Sequence, residues 1–320
     1  MNKIIYCGIA VLSLLIGGSC SEEEALAPSD DLELAELFMP EEDADARVKT
    51  MYADYGVWVR THFNSVKELT NSFLATNSIV ASRGAVNLEE ACVNEVIIYS
   101  QTLLSNVSKQ FTNAFFPWEL YFVKQYGASY WIYQFESLGR SRLIMMWPNQ
   151  TSGTLPATNS TTGFTLADPE NHYYNDEVLT TNVWRYLANM ICARMADPIT
   201  EFVAAGKAYD SGAAYDELMN NYYDGDYTYA EYQALLSELC NSGGYLTANG
   251  SRGFREDFAD WIRMIATDSY ANFYANYLDG NTMRQEKYQV VIDFCNQYGW
   301  DIQAAGNKFR QKHDEYIASL

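Results

Sequence analysis

Metal and nucleophilic chemistry both lean on histidine, and the 320 residues hold three: His62, His172 and His313. None has a second histidine four residues away, the spacing that turns two imidazoles toward one zinc ion on a helix. No G-x-S-x-G nucleophile elbow, phosphate-cradling glycine loop or dinucleotide fingerprint is present. Each histidine is therefore expected to be a surface or structural residue. Paired carboxylates for glycan hydrolysis stay open, because the separation of two carboxyl groups cannot be read from sequence. Cys92, Cys192, Cys240 and Cys295 form no C-x-x-C pair and adjoin no histidine, which excludes a zinc ribbon and a dithiol redox motif. They are left as buried thiols or, in an oxidising compartment, as a disulfide.

Aromatic side chains offer a second kind of chemistry. The chain has 25 Tyr and 7 Trp, with clusters at Tyr173-Tyr174, Tyr222-Tyr223 and Tyr227 to Tyr229. Such rings stack on ligands while hydrogen-bonding at their rims, so a glycan or peptide platform is one reading. Ordinary core and surface positions are the other.

The elements that must position these residues change character along the chain. Tyr55 to Phe63 alternates like a strand, and Leu88 to Phe111 has helical periodicity through Val93, Val96, Ile97 and Leu104. Trp118 to Val123, Ser129 to Phe135 and Arg142 to Trp147 are aromatic and β-branched runs that predict strands. Pro148 to Asn171 is rich in Thr, Asn, Ser and Gly and predicts a long loop. From Asp176 the pattern is helical: Val183, Leu187, Met190, Ile191 and Met195 form one stripe that ends at Pro198. Further helices are expected from Phe254, over Tyr288 to Cys295 and over Asn307 to Ile317. A mixed sheet followed by helices is an α+β arrangement.

Lys3 and the apolar run Ile4 to Ile16 form a signal-like N-terminus too short to span a bilayer. Gly17-Gly18-Ser19 before Cys20 resembles a bacterial lipoprotein signal, which implies cleavage after residue 19 and lipidation of Cys20. From Ser21 to Asp45 the chain has many Asp and Glu and no basic residue, which predicts a solvated tether over 20–46 and a folded domain over 47–320. Acidic residues directly after the cysteine resemble the surface-export signal of Bacteroidetes lipoproteins, which implies a protein anchored at the outer membrane and exposed on the cell surface. A formal net charge of −20 excludes nucleic acid as a partner, since nothing displaces the phosphate counterions. It equally disfavours docking on anionic lipid.

One stretch carries a more specific likeness. Gly243-Gly244-Tyr245-Leu246-Thr247, then Glu256-Asp257-Phe258-Ala259-Asp260, matches in order and spacing a "GF-x-[ST]-x-YA … EDFAE" pattern. With Pro198 to Phe202, Tyr209 and the closing segment Tyr288 to Gln311, the chain after the tether resembles the candidate zinc-binding metallopeptidase lipoproteins of Bacteroidetes. These are gluzincin-like proteins often encoded beside starch-utilisation-type TonB-dependent receptors. The resemblance implies a zincin-like α+β fold, a zinc cofactor, and as partners a TonB-dependent receptor and its surface lipoprotein, with a glycan or peptide as ligand.

Where that family has H-E-F-A-H, this chain has Arg185-Tyr186-Leu187-Ala188-Asn189. Arginine stays protonated and offers zinc no lone pair, and Tyr186 stands where a carboxylate would activate water. One of Glu256, Asp257 and Asp260 would correspond to the downstream ligand, and a lone carboxylate does not hold zinc. No zinc and no catalytic residue is expected, and the six positions are expected to form a degenerate, binding-type site. Arg185 is expected to replace the metal by pairing with the Glu256-Asp257 helix. The chain is thus expected to be a non-catalytic binding or accessory protein. The alternative is an active hydrolase with an unconventional metal site or a carboxylate pair.

Overall fold

Helices separate the first strands of a mixed sheet from its central one. The computed structural model describes residues 39–65, 68–69, 84–128, 131–132, 134–139, 141–147 and 172–320. The signal-like segment, Cys20, most of the tether and the 148–171 stretch lie outside them. Helix α1 (Ala46–Tyr55) is capped by the Asp45 carboxylate and stopped by Gly56 in the left-handed region at φ 67°. Strand β1 (Trp58–Arg60) follows, three residues where nine alternate in the sequence, because Tyr55 belongs to the helix. Then come β2 (Ala85–Asn87), α2 (Glu90–Ser105) and α3 (Lys109–Phe115). The ten-residue strand β3 (Glu119–Ala128) is the spine, followed by β4 (Trp131–Ile132), β5 (Phe135–Leu138) and β6 (Arg142–Met146).

Strands β1 and β6 run parallel to the first half of β3, with Trp58 opposite Glu119 and Leu120 opposite Leu143. The α2–α3 crossover permits that direction for β1 and β3, and β6 follows β4 and β5. Strand β5 pairs antiparallel with β6 at the end of the path, and β2 and β4 pair antiparallel with the far half of β3. The sheet is mixed, as the sequence predicts. Its two faces are both covered: Leu120, Phe122, Leu143 and Met145 join the main core, and Tyr121, Val123, Ile144 and Met146 a second cluster. Coverage on both sides is why β6 has five consecutive buried residues and no polar alternation.

At the mouth of β3, Glu119 is fully buried yet paired. Arg60 reaches one carboxylate oxygen at 3.0 Å and Arg142 holds the other. Both guanidinium groups lie against the Tyr121 ring, at 4.6 and 5.0 Å from its centroid.

The second half is helical. Helix α4 (His172–Asn175) leads into α5 (Glu177–Arg194), whose first turn is capped by Asp176. Then follow α6 (Thr200–Ala204), α7 (Ala213–Asp224) and α8 (Tyr229–Gly243), the last opened by a reciprocal Thr228–Glu231 capping box. A 3₁₀ turn over Ala248–Arg252 precedes α9 (Phe254–Thr267). Helices α10 (Tyr270–Phe273), α11 (Thr282–Gln297) and α12 (Ile302–Ser319) close the chain. The stripes of α5 and α9 face each other, burying Val183, Leu187 and Ile191 with Phe258, Ile262 and Ile265 in one core.

The C-terminal segment is stitched back to distant residues. The Trp300 indole stacks on Trp184 at 5.6 Å and donates to the Asn106 carbonyl at 2.8 Å. His313 Nδ1 donates to the Tyr174 carbonyl at 3.0 Å. Helix α12 crosses α9 so closely that a Cβ on Gly306 would meet the Ile265 carbonyl oxygen at 1.9 Å. Only glycine fits there.

Candidate functional site

The positions singled out in the sequence do not gather at one place. Arg185, Tyr186 and Asn189 lie together on the outer side of α5, whose inner side is filled by Val183, Trp184, Leu187 and Ala188. Tyr186 stacks on Phe135 of the edge strand β5, with ring centroids 5.0 Å apart and planes 20° apart. The Arg185 guanidinium is exposed and lies 5.4 Å from the Tyr186 ring centroid. Asn189 donates its amide to the Arg185 carbonyl at 2.9 Å, a local bond along the helix. The outcome is a small arginine–tyrosine–amide patch held under the sheet edge.

The expected Arg185–carboxylate pair is not formed; among the described residues Arg185 has no acidic partner. Register is the reason. Glu256 lines a recess of about 250 Å³ with Cys192, Met195, Pro198 and Arg255. Cys192 lies seven residues beyond Arg185, or roughly 10 Å along a helix rising 1.5 Å per residue. The recess that Glu256 lines therefore lies about two turns along α5 from the guanidinium.

Asp257 points elsewhere and has another cation. Its Oδ2 accepts from Lys287 Nζ at 2.6 Å and Tyr209 Oη at 3.1 Å, and its Oδ1 from the Trp261 indole at 3.2 Å. Both ends of the ion pair are 0 % exposed. Burial raises the Asp257 carboxyl to about 6 against the pull of Lys287, and burial lowers Lys287. The lysine ammonium also faces the rings of Phe202 and Tyr245, at 5.0 and 4.8 Å. Gly206 makes room for it, since a Cβ there would lie 2.6 Å from Nζ. Asp260, in turn, accepts from Thr247 and from Arg263 at 2.8 Å.

Of these partners, the likeness of motif had picked out Tyr209 but not Lys287. A signal existed: Lys287 is in line with Val291 and Cys295 at helical spacing, so it sits on the buried stripe of α11. His62 is exposed, His172 pairs with the buried Glu95, and His313 lies 3.3 Å from Glu177. All four described cysteines are free and buried, and burial raises the Cys240 thiol to about 11.

The donor set on the α5 face does not fit zinc, since a guanidinium, a phenol and an amide supply no imidazole or carboxylate. Among the described residues no three His, Cys, Asp or Glu side chains gather to hold a metal ion. No described helix is long and apolar enough to cross a membrane.

No family model matches the chain, and no curated protein matches it. It is similar to a solved structure of a candidate zinc-binding metallo-peptidase from Bacteroides caccae, with 14 % identity and a TM-score of 0.46. That likeness covers 87 % of this chain and 97 % of the other.

Proposed function

We propose that this chain is a lipid-anchored cell-envelope protein whose metallopeptidase-like helix serves binding and not hydrolysis. Cys20 carries the anchor, the acidic tether holds the domain off the outer membrane, and the domain is an accessory component beside a TonB-dependent glycan-uptake system. Its ligand is a glycan or a peptide. The reading is carried by the α5 face. Arg185, Tyr186 and Asn189 form a donor-rich surface patch with a stacked ring, suited to contacting a polar ligand. Of the acidic residues on α9, Asp257 is committed to Lys287 and Asp260 to Thr247 and Arg263.

The test is metal analysis of the purified mature chain with casein and peptide turnover measured alongside. Neither retained zinc nor cleavage is expected. One tightly held zinc per chain together with turnover overturns the reading, and turnover without zinc moves it to a carboxylate-dependent hydrolase. Radiolabelled palmitate incorporation, lost in Cys20→Ala, tests the anchor separately.

A further inference from the structure

The α7–α8 hairpin stands apart from the α5 patch in composition and in burial. Helix α7 buries none of its residues, and α8 buries Tyr232, Cys240 and Gly243. A helix with so little covered surface is not held by the core, so its sequence is free to serve its outer face. That face is tyrosine. Tyr222 stacks on Tyr232 at 4.6 Å, and Tyr223 and Tyr229 flank it at 5.6 and 6.2 Å. The two flanking rings stay in water, Tyr223 77 % and Tyr229 64 % exposed. Exposed aromatic rings grouped in this way mark contact surfaces.

Charge decides what the surface fits. From Ala208 to Gly243 the chain has no Lys, Arg or His. Glu217, Asp224, Asp226 and Glu238 are exposed on the hairpin and, among the described residues, pair with no cation. An anionic lipid or a nucleic acid is repelled here. The chain itself shows how a cation is received. Arg252, from the 3₁₀ turn at the hairpin base, pairs with Asp216 and lies 5.5 Å from the Tyr215 ring centroid. The tip repeats that pairing of ring and carboxylate without a cation of its own.

We propose that the tip of the α7–α8 hairpin is a docking surface for an arginine-bearing basic segment of a protein partner. Arginine stacks its guanidinium plane on Tyr223 or Tyr229 while its N–H groups reach Asp224 or Asp226, as Arg252 does with Tyr215 and Asp216. The inference does not depend on the role of the α5 face.

The test uses the full mature chain and a fluorescein-labelled octa-arginine peptide, read by anisotropy, with octa-lysine and a maltooligosaccharide as comparison probes. Tyr223→Ala/Tyr229→Ala keeps every charge and touches exposed rings, so circular dichroism is expected to be unchanged. Loss of two exposed cation–π contacts is expected to weaken octa-arginine roughly tenfold. Asp224→Asn/Asp226→Asn is expected to weaken it as well and to flatten its salt dependence. Octa-lysine, whose ammonium cannot lie flat on a ring, is expected to bind less tightly and to lose less affinity in the tyrosine variant. Equal affinity of the tyrosine variant for octa-arginine, or equal binding of both peptides, reduces the effect to bulk charge and overturns the proposal. Saccharide binding lost in the tyrosine variant, with octa-arginine silent, also overturns it.

Discussion

Replacing Lys287 by methionine removes the cation that, among the described residues, pairs with a carboxylate that has no access to water. Asp257 and Lys287 are both 0 % exposed, and the methionine keeps the volume of the lysine stem. Breaking a buried pair by removing one partner costs about 3–5 kcal/mol. Tyr209 and the Trp261 indole still donate to the carboxylate, which places the cost at the lower end, roughly 3 kcal/mol at pH 8. For a domain of this size that is a melting shift of roughly 6–12 °C. The penalty has a pH signature. Burial holds Asp257 at about 6 against an ordinary 3.8, so the folded chain binds this proton more tightly than the unfolded chain. Its contribution to stability is therefore present in acid and is lost as pH rises from about 4 through 6. Removing the neighbouring ammonium moves the carboxyl further up. Near pH 5 the group is neutral in both proteins and the penalty is small; at pH 8 the penalty is full. Denaturant unfolding at the two pH values reads both. Lys287→Met combined with Asp257→Asn, which leaves no buried charge, is expected to recover most of the loss. A single variant within about 1 kcal/mol of the parent at pH 8, or a penalty that does not change with pH, refutes the reasoning.

Arg185→Ala removes an exposed side chain with no acidic partner among the described residues, so its unfolding stability should stay within about 0.5 kcal/mol of the parent. Arg185→His/Tyr186→Glu/Asn189→His places two imidazoles and a carboxylate on α5, while Asp257 and Asp260 of α9 are engaged with Lys287, Thr247 and Arg263. The purified triple variant is expected to lose its zinc on gel filtration, and stoichiometric retention by elemental analysis would contradict the register described above. Gly306→Ala drives a methyl into the Ile265 and Asp268 carbonyls, 1.9 and 2.5 Å from the new Cβ. Thermal unfolding should show destabilisation by about 3 kcal/mol or more, with the helices α9 and α12 forced apart.

Sequence periodicity located the helices where burial is one-sided. Val183, Leu187, Met190 and Ile191 mark α5, and Phe258, Trp261, Ile262 and Ile265 mark α9, starting at Phe254 as expected. It fell short where buried residues are charged. Helix α11 begins at Thr282, six residues before Tyr288, because Arg284 and Lys287 look like a solvent face and are in fact covered. The same disguise hid the cation of Asp257, and Arg185 was given the part that Lys287 plays. Helical spacing puts Arg185 and Asn189 on one side of α5, which is correct, but it carries no information about which level of α9 lies opposite. That level is set by tertiary packing.

The fastening of the last helix has a kinetic consequence. Trp300 and His313 bond to carbonyls 194 and 139 residues earlier, and Gly306 fits only against an α9 that already exists. The sheet and most of the helices can therefore form before these closing contacts are made. Contacts of such long separation fold slowly, because loop-closure entropy is met before they form. Trp300 and helix α12 act as the latch, and until they dock Trp184 lacks the ring that stacks on it.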